Sequence, residues 1–196
     1  METPRRIDVV QQWPPQLLLA AQGRGRGMRL AVFDVDGVLT DGRLYISGDG
    51  ETLKAFHSLD GHGLKLLQQA GIEPLICTGR DSPAVRRRVA DLGLRHAYYG
   101  VKDKRRCVEA ACDALGVDWD ETAVMGDDWP DLPLFVRAGF ACAPSNAHAE
   151  VKAAAHHVTR AGGGEGAARE LCDLLLAAAG RYASLLHGHL TTLDGA

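Results

Sequence analysis

The chain has 196 residues, of which 46% are hydrophobic and 24% charged, a length that suits one domain with a substantial core. Its net charge of -3 gives no basic surface for a nucleic-acid partner, and no apolar run reaches the roughly 20 residues that span a membrane. The apolar stretch from Leu17 to Ala21 is too short for a signal-peptide core, so we expect a cytoplasmic protein with no membrane partner.

The N-terminal segment predicts an arm over residues 1–27. A short helix is expected in "PPQLLLAAQ", and "QGRGRG" breaks regular structure after it. We expect the main domain over residues 28–180 and a weakly patterned tail over 181–196. The five cysteines are scattered without a C-x-x-C pair, which predicts reduced thiols and neither a zinc site nor a disulfide framework.

From Met28 onward, apolar strand-like runs alternate with helical segments. Ser82 and Pro83 predict a helix start and Gly93 its end, and Gly116 ends a second helix in the same way. A third helix is expected in "EGAARELCDLLLAAAG". This alternation predicts an α/β fold, a Rossmann-like parallel sheet flanked by helices. The strand-like runs are "RLAVFDV", "EPLICT", "HAYYG", "ETAVMGD", "GFACAP" and "HHVT".

One segment interrupts the alternation directly after the first strand. "GRLYISGDGETLKAF" has two β-rich arms around "GDG", which predicts a hairpin. A hairpin placed between the first strand and the first helix of the sheet would stand over the carboxyl ends of the strands. Ligands of open α/β sheets bind at that edge.

Two pairs of carboxylates directly follow predicted strands. Asp34 and Asp36 end the first strand, and Asp127 and Asp128 follow the strand in "ETAVMGD". Unpaired carboxylates at such positions cost energy, and a divalent cation that prefers oxygen ligands makes them favourable. We therefore predict a Mg²⁺ site where these strands end.

Hydroxyl and cationic side chains follow two further strands. Thr78 and Arg80 lie in "ICTGR", and Lys102 and Lys104 lie in "GVKDK". Hydrolysis of a phosphate monoester needs a nucleophile, a cation and hydrogen-bond donors around the phosphoryl oxygens. A covalent aspartyl-phosphate splits that reaction into two easier steps. This set of carboxylate, hydroxyl and cationic side chains therefore predicts phosphoryl transfer at this edge of the sheet.

The order of these motifs resembles the haloacid dehalogenase superfamily. D-x-D-G-V-L-T-D-G is followed by T-G-R, a lysine and G-D-D-x-x-D. Between about Met28 and Ala179 the chain is similar to the capless phosphatases of 3-deoxy-D-manno-octulosonate 8-phosphate (KDO 8-phosphate). The resemblance rests on "FDVDGVLTDGRLYISGDGETLKAFHSLDGHGLK", "TGRDSPAVRRRVADLG" and "TRAGGGEGAARELCDLLL".

The resemblance implies a role for each motif residue. Asp34 corresponds to the nucleophile, and Asp36 to the general acid–base whose backbone carbonyl also binds Mg²⁺. Asp127 would complete the metal site with Asp34, supported by Asp128 and Asp131. Thr78 would hold a phosphoryl oxygen, and Lys104 fits the superfamily lysine better than Lys102 because it directly precedes a helix.

The resemblance also implies a substrate and an assembly. The reaction would be Mg²⁺-dependent hydrolysis of KDO 8-phosphate in lipopolysaccharide precursor synthesis, by a homotetramer whose hairpins and tails shape adjoining sites. The glycine-rich stretch at 162–166 would reach toward an active site, that of a neighbouring subunit. The implied substrate contacts are His57, Ser58, Leu59, Asp60, Gly61, Lys65, Arg80 and Arg88, with His57 and Ser58 acting more through backbone than side chain.

Other functions stay open on the sequence. A related phosphatase of nine-carbon sialic-type acid phosphates would share the hairpin and the small size. A phosphomutase would share the chemistry of Asp34 but needs an enclosed chamber, and the intervals between the motifs leave no room for a cap domain. A non-catalytic binding module would not need the complete set of catalytic residues.

Overall fold

The computed structural model describes residues 8–23 and 27–191 of the chain. The strands in these ranges are β1 Leu30–Phe33, β2 Tyr45–Ser47, β3 Gly50–Leu53, β4 Glu73–Cys77, β5 His96–Tyr98, β6 Thr122–Met125, β7 Phe140–Ala143 and β8 His157–Val158. The helices are α1 Pro15–Ala21, α2 Ser58–Ala70, α3 Pro83–Leu92, α4 Lys104–Leu115, α5 Leu132–Phe135, α6 Ala149–Ala154, α7 Ala167–Ala178 and α8 Tyr182–Thr191.

Six of these strands form a parallel sheet in the order β5-β4-β1-β6-β7-β8 within the described residues. The first strand lies between β4 and β6, and its residue Phe33 is in register with Ile76 and Met125. The loops after these three strands therefore emerge side by side. All six predicted strands and the α/β class are confirmed.

Helices cover both faces of the sheet, because side chains of each strand alternate between two apolar cores. Ala31 and Phe33 pack in the core shared with α1, α2, α3 and α7. Leu30 and Val32 pack in the core shared with α4, α5 and α6. Burial on both faces explains why these strands are nearly continuous apolar runs.

The predicted helix ends are confirmed where glycine closes them. Gly93 after α3 and Gly116 after α4 both adopt left-handed backbone, with φ of 66° and 60°, which glycine tolerates without steric cost. Ser82 holds the position before α3, but its hydroxyl makes no cap hydrogen bond there. It donates instead to Glu51 of the hairpin.

The predicted hairpin is confirmed as β2 and β3, which pair antiparallel around Gly48 and Asp49. Large apolar side chains on and beside it face solvent, with Ile46 62% and Leu53 51% exposed. The base of the hairpin contacts the loop after β1 through Lys54.

Both predicted terminal segments hold a helix that packs against α7. Trp13 before α1 makes an edge-to-face ring contact with Tyr182 at the start of α8, with ring centroids 5.7 Å apart. The division of the chain at residues 27 and 180 stays a prediction. Across residues 8–23 and 27–191, no helix combines the length and apolar character that a membrane crossing requires.

Candidate active site

The loop after β1 is a tight turn that presents Asp34 and Asp36. The amide of Asp34 donates to the carbonyl of Met125 at 3.0 Å and so extends the pairing of β1 with β6. Gly37 then turns the chain with a φ of 84°. A Cβ at Gly37 would lie 2.0 Å from Oδ2 of Asp127, so only glycine lets the two loops approach this closely.

Three carboxylates meet at the ends of β1 and β6. Asp34, Asp127 and Asp131 each place an oxygen within 4.8 Å of the others. Lys104, which is 7% exposed, lies 3.0 Å from Oδ2 of Asp34 and 2.6 Å from Oδ1 of Asp131. The other Asp131 oxygen accepts the backbone amides of Asp127 and Asp128. Asp131 therefore supports the loop, and Asp34 and Asp127 keep oxygens for a ligand.

The charge of this cluster is incompletely balanced by protein groups. Burial raises the pKa of Asp34 to about 6, and the charge of Asp131 adds to that rise against the opposing effect of Lys104. Burial and the Asp34 charge raise the pKa of Asp127 to about 7. A divalent cation with oxygen ligands fits this cluster, because it would supply the missing positive charge.

The carboxylate of Asp36 is not part of this cluster and contacts two cations. Arg80 Nε lies 3.5 Å from its Oδ2, and the ammonium of Lys54 contacts its Oδ1. Thr78 is 2% exposed and its hydroxyl accepts the amide of Arg80 at 3.3 Å. A cleft of about 480 Å³ joins both sides of the site, and its lining includes Asp34, Asp36, Thr78, Arg80, Lys104 and Asp127.

The two candidate lysines occupy different environments. Lys104 is buried at the start of α4, where Asp34 and Asp131 outweigh the opposing effect of burial and raise its pKa. It is therefore a fixed cation beside Asp34. Lys102 also lines the cleft but is exposed at its mouth. This geometry supports Lys104 in the role that the motif order assigns to it.

Comparisons with known proteins show the family to which the chain belongs. Residues 100–171 match the family of haloacid dehalogenase-like hydrolases. The 3-deoxy-D-manno-octulosonate 8-phosphate phosphatase KdsC of Haemophilus influenzae is 41% identical over 160 residues, which cover 82% of this chain and 89% of the relative. The chain belongs to the 3-deoxy-D-manno-octulosonate 8-phosphate phosphatase family.

Solved structures of phosphatases show the same fold. A probable YrbI family phosphatase from Pseudomonas syringae aligns with a TM-score of 0.85 at 42% identity, covering 90% of this chain and 98% of that one. The KDO 8-phosphate phosphatase of Moraxella catarrhalis, solved with a magnesium ion, a phosphate ion and a KDO molecule, aligns with a TM-score of 0.83 at 34% identity. The alignment covers 89% of this chain and 98% of the Moraxella chain.

Most of the predicted substrate contacts of this phosphatase lie away from the cleft of their own chain. Of the predicted contacts, the described cleft lining includes Arg80 alone. The others lie at the start of α2 or on its outer surface and on α3, namely His57, Ser58, Leu59, Asp60, Gly61, Lys65 and Arg88. The cleft therefore brings Arg80 together with Asp34, Asp36, Thr78, Lys104 and Asp127, and the other substrate contacts stay predictions.

Asp60 and Gly61 make structural contacts within their own chain. Asp60 is 2% exposed and its Oδ1 accepts the amide of Arg169 at 2.8 Å, so it caps α7 from α2. A Cβ at Gly61 would lie 2.2 Å from Nη2 of Arg88, which itself contacts the carbonyl of His57 at 3.4 Å. These residues hold α2, α3 and α7 together.

The glycine-rich stretch 162–166 packs against the loop after β1 of its own chain. The amide of Gly163 donates to Asn146 Oδ1 at 2.7 Å, and that of Gly164 to the carbonyl of Val38 at 3.0 Å. Asn146 in turn lies 3.5 Å from the carbonyl of Gly37. The stretch is therefore a support behind the Asp36 turn of its own chain, and its expected reach toward the site of a neighbouring subunit stays a prediction.

Gly163→Ala should damage this support. A Cβ there would lie 1.8 Å from the carbonyl oxygen of Gly37, and the loop must move to admit it. We expect kcat to fall at least about 10-fold and the free energy of unfolding to fall by about 1–3 kcal/mol, as for overpacking in a core. Steady-state kinetics and urea unfolding measure both quantities.

Gly48→Ala is the matched control, because a Cβ at this exposed hairpin residue would meet nothing within 4 Å. We expect it to leave both quantities unchanged. Wild-type kinetics for Gly163→Ala would show that the stretch is a passive linker.

Proposed function

We propose that this phosphatase hydrolyses KDO 8-phosphate to KDO and inorganic phosphate through phosphorylated Asp34. The observation that carries the proposal is the placement of Asp34 between Lys104 and Asp127, with Asp36 on the adjacent side of one cleft. The similarity to KDO 8-phosphate phosphatases over four-fifths of the chain supports the choice of substrate. A cytoplasmic location and a place in lipopolysaccharide precursor synthesis stay predictions.

In the first step, a carboxylate oxygen of Asp34 attacks phosphorus and the bond to the sugar oxygen breaks. Asp36 gives a proton to the departing alkoxide. Lys104 holds the other oxygen of Asp34 and offsets charge on the phosphoryl group, and the Thr78 hydroxyl donates to one phosphoryl oxygen. Asp34 is then phosphorylated and the sugar leaves as a neutral alcohol.

In the second step, Asp36 takes a proton from water as that water attacks phosphorus. The bond between phosphorus and Asp34 breaks, which releases phosphate and regenerates the free carboxylate. We assign the cation to Mg²⁺, held by the carboxylates of Asp34 and Asp127 and the backbone carbonyl of Asp36. Bound there, it would neutralise phosphoryl oxygens in both steps.

The open cleft favours hydrolysis over a mutase reaction. Between Asp36 and Thr78 the chain forms the hairpin, α2 and β4, and between Lys104 and Asp127 it forms α4, one 3₁₀ turn and β6. Neither interval holds a cap domain that could enclose an intermediate. A phosphorylated Asp34 would therefore meet water, which is what a phosphatase requires.

The sugar end of the substrate needs a cation for its carboxylate. Arg80 lines the cleft with 53% of its side chain exposed, so its guanidinium can turn toward such a group. Lys65 and Arg88 lie outside the cleft of their own chain, and contact between them and a substrate would need a second copy.

We propose that copies of the chain associate, as a tetramer, through the hairpin. Leu44, Tyr45, Ile46 and Leu53 are each at least 40% exposed on or beside its two strands. Large apolar side chains grouped in this way favour an interface, and closed symmetric assemblies are common. Light scattering gives the mass in solution.

A panel of phosphate esters tests the proposed substrate. We expect kcat/KM for KDO 8-phosphate to exceed that for glucose 6-phosphate at least about 100-fold, because glucose 6-phosphate has no carboxylate to bind Arg80 and so loses transition-state binding. Arg80→Met should reduce the ratio, whereas Arg87→Met, which removes an exposed arginine paired with Asp91, should not. Preference for a nine-carbon acid phosphate would identify the related phosphatase instead, and equal values throughout would leave a generic one.

A further inference from the structure

Lys54, at the base of the hairpin, is a buried cation with no role in the reaction proposed above. Its side chain is 1% exposed, although lysine is among the residues that proteins bury least. Its ammonium contacts Oδ1 of Asp36 and lies 3.1 Å from Glu51 Oε2. A charge this deeply buried is retained only when paired, so its environment is built around these two carboxylates.

A second contact fixes the partner of Lys54. The hydroxyl of Ser82, before α3, donates to Glu51. Burial raises the pKa of Glu51, but hydrogen bonds from Ser82 and Lys54 outweigh it and hold the pKa below its usual range. Glu51 is therefore a fixed anion that locates the ammonium. Contacts run without interruption from the start of α3 through the hairpin to Asp36.

The two oxygens of Asp36 are consequently not equivalent. Oδ1 faces the buried ammonium of Lys54, while Oδ2 lies 3.5 Å from the half-exposed Arg80 on the side of the cleft. A carboxylate that exchanges protons with a substrate must present one oxygen in a fixed direction. With Oδ1 occupied by Lys54, Oδ2 is the oxygen left for that exchange.

We propose that Lys54 is a positioning residue for Asp36, held in place by Glu51 and Ser82, and that it aims Oδ2 at the leaving oxygen of the substrate. The inference rests on the proposed function, in which Asp36 gives a proton to the departing alkoxide. It gives the hairpin a part in catalysis within its own chain, since the loss of Lys54 would free the Asp36 side chain to rotate.

Lys54→Met tests the proposal through leaving groups. A sugar alkoxide needs a proton from Asp36 and p-nitrophenolate does not, so the loss in kcat/KM should depend on the ester. We expect a loss of about 100-fold for KDO 8-phosphate, within the usual range of general acid catalysis, and of less than about 5-fold for p-nitrophenyl phosphate. Undocking of the hairpin would instead lower both values alike, and that result would overturn the proposal.

A double-mutant cycle supplies an independent readout. In the Asp36→Asn background, Lys54→Met should cost kcat/KM for KDO 8-phosphate almost nothing further, because the group that it positions is gone. Additive losses would show that Lys54 acts elsewhere. Lys152→Met is the matched control, since among the described hydrogen bonds the ammonium of Lys152 donates only to the carbonyl of Ser145, and the variant should hydrolyse both esters as the wild type does.

A double variant and the choice of substrate separate the role of Lys54 from two other causes of lost activity. Lys54→Met leaves the carboxylates of Asp36 and Glu51 without their shared cation, so Lys54→Met combined with Glu51→Gln repeats the test without that repulsion. If the wild-type protein does not hydrolyse KDO 8-phosphate, the proposed substrate fails. The leaving-group comparison then uses whichever sugar phosphate of the panel it hydrolyses, and the inference about Lys54 stands or falls separately.

Discussion

Asp34→Asn should abolish hydrolysis of every phosphate ester, with kcat reduced at least about 10⁴-fold. The amide is nearly isosteric with the carboxylate but cannot form the covalent phosphoryl intermediate. The backbone bond from Asp34 to Met125 is unchanged, and Lys104 keeps its partner Asp131, so the fold should persist. Phosphate release measures the loss, and circular dichroism verifies the fold.

Acid quenching with mass spectrometry identifies the nucleophile directly. During turnover the wild-type chain should gain one phosphoryl group on the peptide that contains Asp34, and the variant should gain none. Asp81→Asn is the control, because this exposed carboxylate pairs only with Arg86 in the contacts described and should leave turnover intact. Activity of Asp34→Asn within 10-fold of wild type would exclude the covalent route.

Removal of divalent metal should also abolish turnover. Without a bound metal ion, the carboxylates of Asp34 and Asp127 would repel the phosphoryl group, and Lys104 beside Asp34 offsets just part of their charge. We expect turnover after treatment with a chelator to fall below about 1% of its starting value and to return when Mg²⁺ is added, since all the candidate ligands are oxygens. Full turnover in the metal-free protein would contradict the proposed site.

The metal-free protein should also lose stability as the pH rises. The pKa values of Asp34 and Asp127 lie near 6 and 7 in the fold, against an ordinary value of 3.8. Between about pH 4 and pH 7 the folded chain therefore binds more protons than the unfolded chain, and the contribution of these groups to the free energy of unfolding falls.

Urea unfolding at pH 5 and pH 8 measures this change, and Asp127→Asn should reduce it because one of the two groups no longer titrates. Saturating Mg²⁺ should restore stability at pH 8, since the ion binds the folded state. A wild-type change equal to that of the variant would place the pH dependence elsewhere in the chain.

The meeting of Asp34 and Asp127 at one edge could be predicted because it follows from the sheet. Parallel strands end at one edge, and the register that pairs Phe33 with Met125 brings Asp34 close to Asp127. The apolar runs predicted the strands, and the glycines that end helices predicted the helices between them. The positions of motif residues that directly follow strands could therefore be predicted from the sequence alone.

The remaining contacts depend on distant partners that local pattern does not contain. From the sequence, Asp60 is expected to be an exposed ligand in the first turn of a helix. In the structure its carboxylate accepts the amide of Arg169, which lies 109 positions later in the chain. Lys54 reads as a surface charge beside a hairpin strand, and its burial follows from how the hairpin folds back on the Asp36 loop. The resemblance implied that Lys65 and Arg88 contact the substrate, but it did not show whether they contact the substrate of their own chain or that of a neighbouring copy.

The support behind the Asp36 turn joins parts of the chain that are synthesised far apart in time. Asn146 meets Gly37 across 109 positions, and Gly163 and Gly164 complete the contact later still. Asp34, Thr78 and Lys104 all leave the ribosome before the residues of this support and of α7. A nascent chain therefore carries these side chains before the backbone that holds their loop, and we expect it to gain activity only after α7 has emerged from the ribosome.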